Sequence, residues 1–90
     1  MGSEREATMR RYTALLYREQ EEGGYSAVVP SLPGCFTQGD TIDEAVANAR
    51  EAIQGHVASL EELGRDVPEE SAPPSIVTVE VAGSRQPAVA

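Results

Sequence analysis

Apolar and polar positions follow one another along this chain in an order that predicts a small α+β domain. From Arg11 to Arg18, the run Arg-Tyr-Thr-Ala-Leu-Leu-Tyr-Arg is rich in strand formers and too short for a helix. Residues 19–24, Glu-Gln-Glu-Glu-Gly-Gly, supply a charged turn with glycines free to take positive φ. Tyr25 to Val29 reads as a second strand, so the pair forms a β-hairpin. Pro30 and Pro33 remove backbone donors and bracket a loop over 30–34. Cys35 to Gln38 resumes as a short third strand, which completes a three-stranded antiparallel meander.

The pattern then changes from a period of two to a period of 3.6. Thr41 followed by Glu44 reads as a capping box, with Asp43 and Glu44 placed at the positive end of the helix dipole. Ile42, Ala45, Val46, Ala49, Ala52, Ile53, His56, Val57, Leu60 and Leu63 recur at three- and four-residue steps. At 100° per residue they occupy an arc of about 140°, as expected of a helix laid on a sheet. Gly64 and Pro68 mark the stop, so the spacing predicts a helix over 42–63, roughly 33 Å long. Gly55 is its weak point.

Residues 65–74 form a polar linker ending in Ala-Pro-Pro, and Ser75 to Ala82 alternates as a strand. Val77, Val79 and Val81 share one face; Ile76, Thr78 and Glu80 share the other. A right-handed crossover through the helix would lay this final strand parallel to the first. The expected fold is therefore βββαβ, a four-stranded mixed sheet with one long helix on one face, as in a partial ribonuclease-H-like domain. The other face has no cover within the chain; Leu15, Tyr17, Val28 and Ile76 are expected to face it in part, which makes it an association surface. Residues 1–9 and 83–90 lack periodicity and are expected as a flexible arm and tail.

Composition adds constraints. Seven arginines and no lysine stand against 15 acids, a formal net charge of −8 over 90 residues. Nucleic acid needs a basic stripe, so it is not expected as a direct ligand; a basic partner suits this balance. A chain of this size buries only about 60–65% of its unfolded surface, which favours help from self-association. One cysteine cannot close an internal disulfide, in keeping with a reducing cytoplasm, and no run approaches the ~18 apolar residues of a membrane span.

Candidate chemistry is sparse. Cys35 with His56 as base would need hydrogen-bond contact and a third orienting group, whereas both residue types here fit buried structural positions better. A two-metal nuclease needs carboxylates converging from neighbouring strands; residues 11–18 contain none and Glu80 is the sole acid of the last strand. Capping explains Glu44, and the helix dipole explains Asp40 and Asp43. Neither catalytic residues, metal nor cofactor are expected. Leu32, held between two prolines, either binds a partner from a rigid loop or folds back onto the helix.

One set of motifs is specific in combination: Gly24-Tyr25, Val29-Pro30, Leu32-Pro33-Gly34-Cys35, Thr37-Gln38-Gly39-Asp40-Thr41, Glu44-Ala45, Asn48-Ala49 and Glu51-Ala52. Together they resemble the HicB antitoxin family, over residues 10–82. The resemblance implies a partial ribonuclease-H-like domain without nuclease activity, an antitoxin of a type II toxin–antitoxin system. It implies a small basic mRNA-cleaving toxin of the HicA kind as partner, and dimers or larger homo-oligomers. Many members carry a C-terminal DNA-binding module; this sequence ends at Ala90, so none is expected here. On this reading Glu19, Glu21, Glu22, Leu32, Asp40 and Glu44 are the expected toxin contacts. The alternative is an orphan, non-enzymatic oligomeric interaction module of the same fold with no cognate toxin.

Overall fold

The computed structural model describes residues 9–83. Three strands come first, β1 (Leu15–Arg18), β2 (Tyr25–Val28) and β3 (Phe36–Gly39), followed by helix α1 (Ile42–Glu62). The strands form one antiparallel sheet in the order β1-β2-β3, the predicted meander. β1 and β2 are shorter than the runs that announced them, and β3 has the expected four residues shifted on by one. The expectations for residues 1–8 and 84–90 lie outside the described residues.

Pairing register sorts the side chains onto two faces, because residues opposite one another across a ladder share a face. Leu16, Ala27 and Thr37 form one row, and Arg18, Tyr25 and Gly39 another, on the side of α1. Leu15, Val28 and Phe36 form a row on the opposite side, beside Tyr17, Ser26 and Gln38. That second face is open, as the pattern predicted: Tyr17 is 54% exposed and Phe36 71%.

The core lies between sheet and helix and is built from Ala27, Val29, Leu32, Cys35, Ala45 and Ala49. Small residues dominate it because the backbones come close. Gly39 is the tightest point: an ideal Cβ there would stand 2.5 Å from the Ala45 nitrogen. The loop over 30–34 is drawn shut by the Val29 N–H donating to the Cys35 carbonyl (3.1 Å) and the Cys35 N–H donating to that of Leu32 (2.9 Å). This turns Leu32 inward, fully buried with Val29 and Cys35 against Ile53 and Val57. Burying a leucine contributes roughly 1.5–3 kcal/mol, so the loop is a structural plug. Of the two readings of Leu32, the fold takes the inward one.

Helix α1 starts as the capping pattern dictates, with the Glu44 N–H donating to Thr41 Oγ1 (3.1 Å). The return half of the box is shifted by one residue: Glu44 Oε1 accepts from the Asp40 N–H (2.8 Å). At the other end Leu63 is the C-cap and Gly64 takes φ +71°. The Gly64 N–H donates to the Glu61 carbonyl and the Arg65 N–H to that of Leu60, a Schellman ending that satisfies two orphan carbonyls. Within the predicted apolar arc, Ala45 and Ala49 are buried, whereas Ile42, Val46 and Leu63 stay exposed.

The linker after α1 returns to the sheet. The Tyr12 hydroxyl donates to the Pro68 carbonyl. Glu70 is clasped by the Thr13 N–H (2.8 Å to Oε1), the Thr13 hydroxyl (2.6 Å to Oε2) and the Ser31 hydroxyl (3.1 Å to Oε1). Thr13 holds this carboxyl below its ordinary pKa, through its hydroxyl first and its backbone N–H second.

One expectation is corrected. Residues 75–82 do not form a strand parallel to β1; the described sheet has three strands, and Ile76, Val77, Val79 and Val81 stand 72% to 80% exposed. Ile76 therefore does not share the open sheet face with Leu15, Tyr17 and Val28. Alternating β-branched residues specify that a segment can pair, not with which edge. Here Pro73 and Pro74 follow directly on the clasped part of the linker, and a stiff Pro-Pro step carries the chain off the sheet instead of along β1.

Candidate partner-binding site

Antiparallel connection places the β1–β2 turn and the β3–α1 junction at the same end of the sheet. The turn is closed by the Glu19 N–H donating to the Gly24 carbonyl (2.9 Å) and the Gly23 N–H donating to that of Glu19 (3.2 Å). Gly24 is required twice over: it has φ +81°, and a Cβ on it would lie 2.8 Å from the Gly39 carbonyl oxygen. That approach brings the turn against Asp40. Between them lies a depression of about 490 Å³ lined by Arg18, Glu19, Tyr25 and Asp40, among others.

The expected contacts Glu19, Glu21, Glu22, Asp40 and Glu44 thus gather at one end of the molecule, with Asp43 beside them. Glu19 is half-buried and the others are exposed. Glu44 is engaged by its hydrogen bond to Asp40, so its carboxylate is held in place beside the depression. Asn48 Nδ2 donates to the Gln38 carbonyl (2.8 Å) and fixes the helix against β3 next to it. None of these six carboxylates pairs with a cation among the described residues, where Arg10 pairs with Glu69 at 3.8 Å. An acidic end of this kind attracts cations through its summed field and favours fast encounter with a basic surface. Leu32 does not belong to it: its side chain is sealed in the core and cannot touch a partner.

A second groove, of about 310 Å³, runs between the start of β3 and the last turns of α1, with Cys35, His56 and Gly55 in its lining. Cys35 is 4% exposed, and burial pushes its thiol up from the ordinary range. That favours the neutral thiol, the wrong form for a nucleophile. Among the described residues no hydrogen bond joins Cys35 to His56, and no group of three or more His, Cys, Asp or Glu is arranged to hold a metal ion. No helix of the described residues is long and apolar enough to cross a membrane.

The convergence of turn and junction was legible in the meander itself, since strand alternation sends both to one end. The Glu70 clasp was not: an acid in a polar linker carries no signal of its partners.

A three-stranded meander backed by one helix, with carboxylates gathered at one end, defines a small acidic α+β domain. The model of the HicB-like antitoxin family of bacterial toxin–antitoxin systems matches residues 12–81, and the chain belongs to that family. Among solved structures, the crystal structure of the N-terminal domain of the Burkholderia pseudomallei antitoxin HicB is similar at 41% identity and a TM-score of 0.56. That match covers 66% of this chain and 67% of the other. A UPF0150 protein of Thermoplasma acidophilum is 42% identical over 62 residues, 69% of this chain and 88% of its own length. Another from Synechocystis is 48% identical over 59 residues, 66% of this chain and 73% of its own.

Proposed function

We propose that residues 10–82 are an antitoxin unit that neutralises a small, basic, mRNA-cleaving toxin of the HicA kind in the cytoplasm. It acts by stoichiometric binding and turns nothing over. The acidic end, Glu19, Glu21, Glu22, Asp40 and Glu44, lies over the toxin's cationic RNA-handling surface and takes the place of phosphate. The observation that carries this reading is the gathering of the turn and junction carboxylates of a family member at one end, in a chain with net charge −8. Complementary charge of this sort raises association rates and selects basic partners.

The test is co-expression with a small basic toxin of the HicA kind. Copurification of the two products and suppression of RNA cleavage are expected. Unimpeded cleavage with no copurification would reject the reading, and Mg²⁺- or Mn²⁺-dependent RNA cleavage by this chain alone would reject its non-enzymatic character. The exposed segment over 75–82 favours a second reading, an orphan module that binds copies of itself and has no toxin; the same co-expression separates the two.

A further inference from the structure

The capping hydrogen bonds of α1 depart from the ordinary box at one place, and the departure falls on the acidic end. In the ordinary box the third helical residue returns its side chain to the N–H of the cap itself and leaves the residue before the cap free to pivot. Here Glu44 Oε1 reaches past Thr41 and accepts from the Asp40 N–H at 2.8 Å. The residue it pins is one that borders the depression.

The neighbouring backbone is tied down in the same way. Asn48 Nδ2 holds the Gln38 carbonyl, Gly39 lies so close under Ala45 that no Cβ fits, and Glu44 holds Asp40. Three successive residues are thus fixed by the first two turns of α1. From the other side the β1–β2 turn abuts them, since a Cβ on Gly24 would lie 3.4 Å from Asp40 Cα.

The two carboxylates at this junction stand differently. Asp40 is exposed and lines the depression with Glu19 and Tyr25; Glu44 is not in that lining. One Glu44 oxygen is committed to the Asp40 N–H, and its charge sits in the first turn of α1, where the helix dipole offsets part of it. A contact residue gains from a backbone fixed beforehand, because binding then has less freedom to remove.

We infer that Glu44 is a positioning residue: it sets Asp40 for the basic partner and does not itself touch that partner. This rests on the toxin reading and deepens it, dividing the junction into a contact, Asp40, and its support, Glu44. The role needs an oxygen that accepts from the Asp40 N–H; it does not need the charge.

The experiment measures release of the full chain from a small basic toxin of the HicA kind at about 0.15 M salt, where distant charges are screened. Asp40→Asn and Glu44→Gln each remove one negative charge, so the two are matched in net charge. Asp40→Asn is expected to raise the dissociation rate about tenfold. Glu44→Gln keeps an accepting oxygen and is expected within about twofold of the parent. Glu44→Ala keeps no acceptor and is expected to release faster than Glu44→Gln, with the helical circular dichroism of the parent. A toxin that binds the parent but releases Glu44→Gln as fast as Asp40→Asn overturns the inference alone, and so does Asp40→Asn released at the parental rate. A toxin that never binds the parent rejects the toxin reading and the inference with it. Amide hydrogen exchange on the free chain tests the support without a partner: the Asp40 N–H is expected to exchange faster in Glu44→Ala than in the parent or Glu44→Gln. Equal exchange in all three overturns the inference.

Discussion

Gly39→Ala and Gly55→Ala make the same chemical change in two settings, and the structure assigns them opposite signs. At Gly39 the new Cβ would stand 2.5 Å from the Ala45 nitrogen and 2.8 Å from both Ala45 Cα and the Glu44 carbonyl carbon. Carbon atoms in good contact sit about 3.5–4.0 Å apart, so the helix must retreat by roughly 1 Å. The obstacle is backbone, and Ala45 is fully buried, so no side chain can swing aside. Overpacking of this kind costs about 1–3 kcal/mol. Gly39 is not among the positive-φ glycines, so alanine recovers about 0.4–1 kcal/mol from the stiffer unfolded chain. The net loss is about 1–2 kcal/mol, which for a domain of this size lowers Tm by about 5–15 °C. At Gly55, inside α1, nothing lies within 4 Å of the added Cβ. Helix propensity then stabilises by up to about 1 kcal/mol and raises Tm by about 4–8 °C. Thermal and urea unfolding followed by far-UV circular dichroism reads both. A Gly39→Ala protein as stable as its parent, or a Gly55→Ala protein that is less stable, would refute the account of how closely helix and sheet approach.

Two further outcomes follow from the charged groups. Glu70 has a folded pKa below its unfolded value of about 4.3, so its clasp stabilises fully above that value and is lost as pH falls through the folded pKa. The stability gap between the parent and Glu70→Gln should therefore be constant near neutrality and close in acid; a gap independent of pH contradicts the clasp. Replacing Glu19, Glu21 and Glu22 together by Gln should slow association with the basic partner about tenfold at low salt, the difference fading as salt screens it. Unchanged rates at low salt would remove the hairpin turn from the contact surface.

The elements that local chemistry decides were legible in the sequence. Thr41 and Glu44 announced the helix start, Gly64 its end, and the turn glycines the hairpin, because each reports on backbone groups within a few residues. The acidic end was legible too, through strand alternation. What escaped depended on contacts distant in sequence. Leu32 was readable as exposed or, somewhat better, as folded back, and the hydrogen bonds from Val29 to Cys35 and from Cys35 to Leu32 decide for the core. Glu70 looked like any linker acid until Thr13 and Ser31 closed on it. The strand signal over 75–82 was real as propensity, but in the described chain the segment leaves the clasped linker through Pro73 and Pro74 and pairs with no strand.

The central claim is that this acidic domain works by occupying a basic toxin. Its most direct test is titration of the purified chain into a basic toxin of the HicA kind while RNA cleavage is followed. The account predicts that cleavage falls linearly to zero at a fixed stoichiometric ratio, with the two proteins eluting together. Cleavage that persists at large excess of the chain, with separate elution, would contradict it.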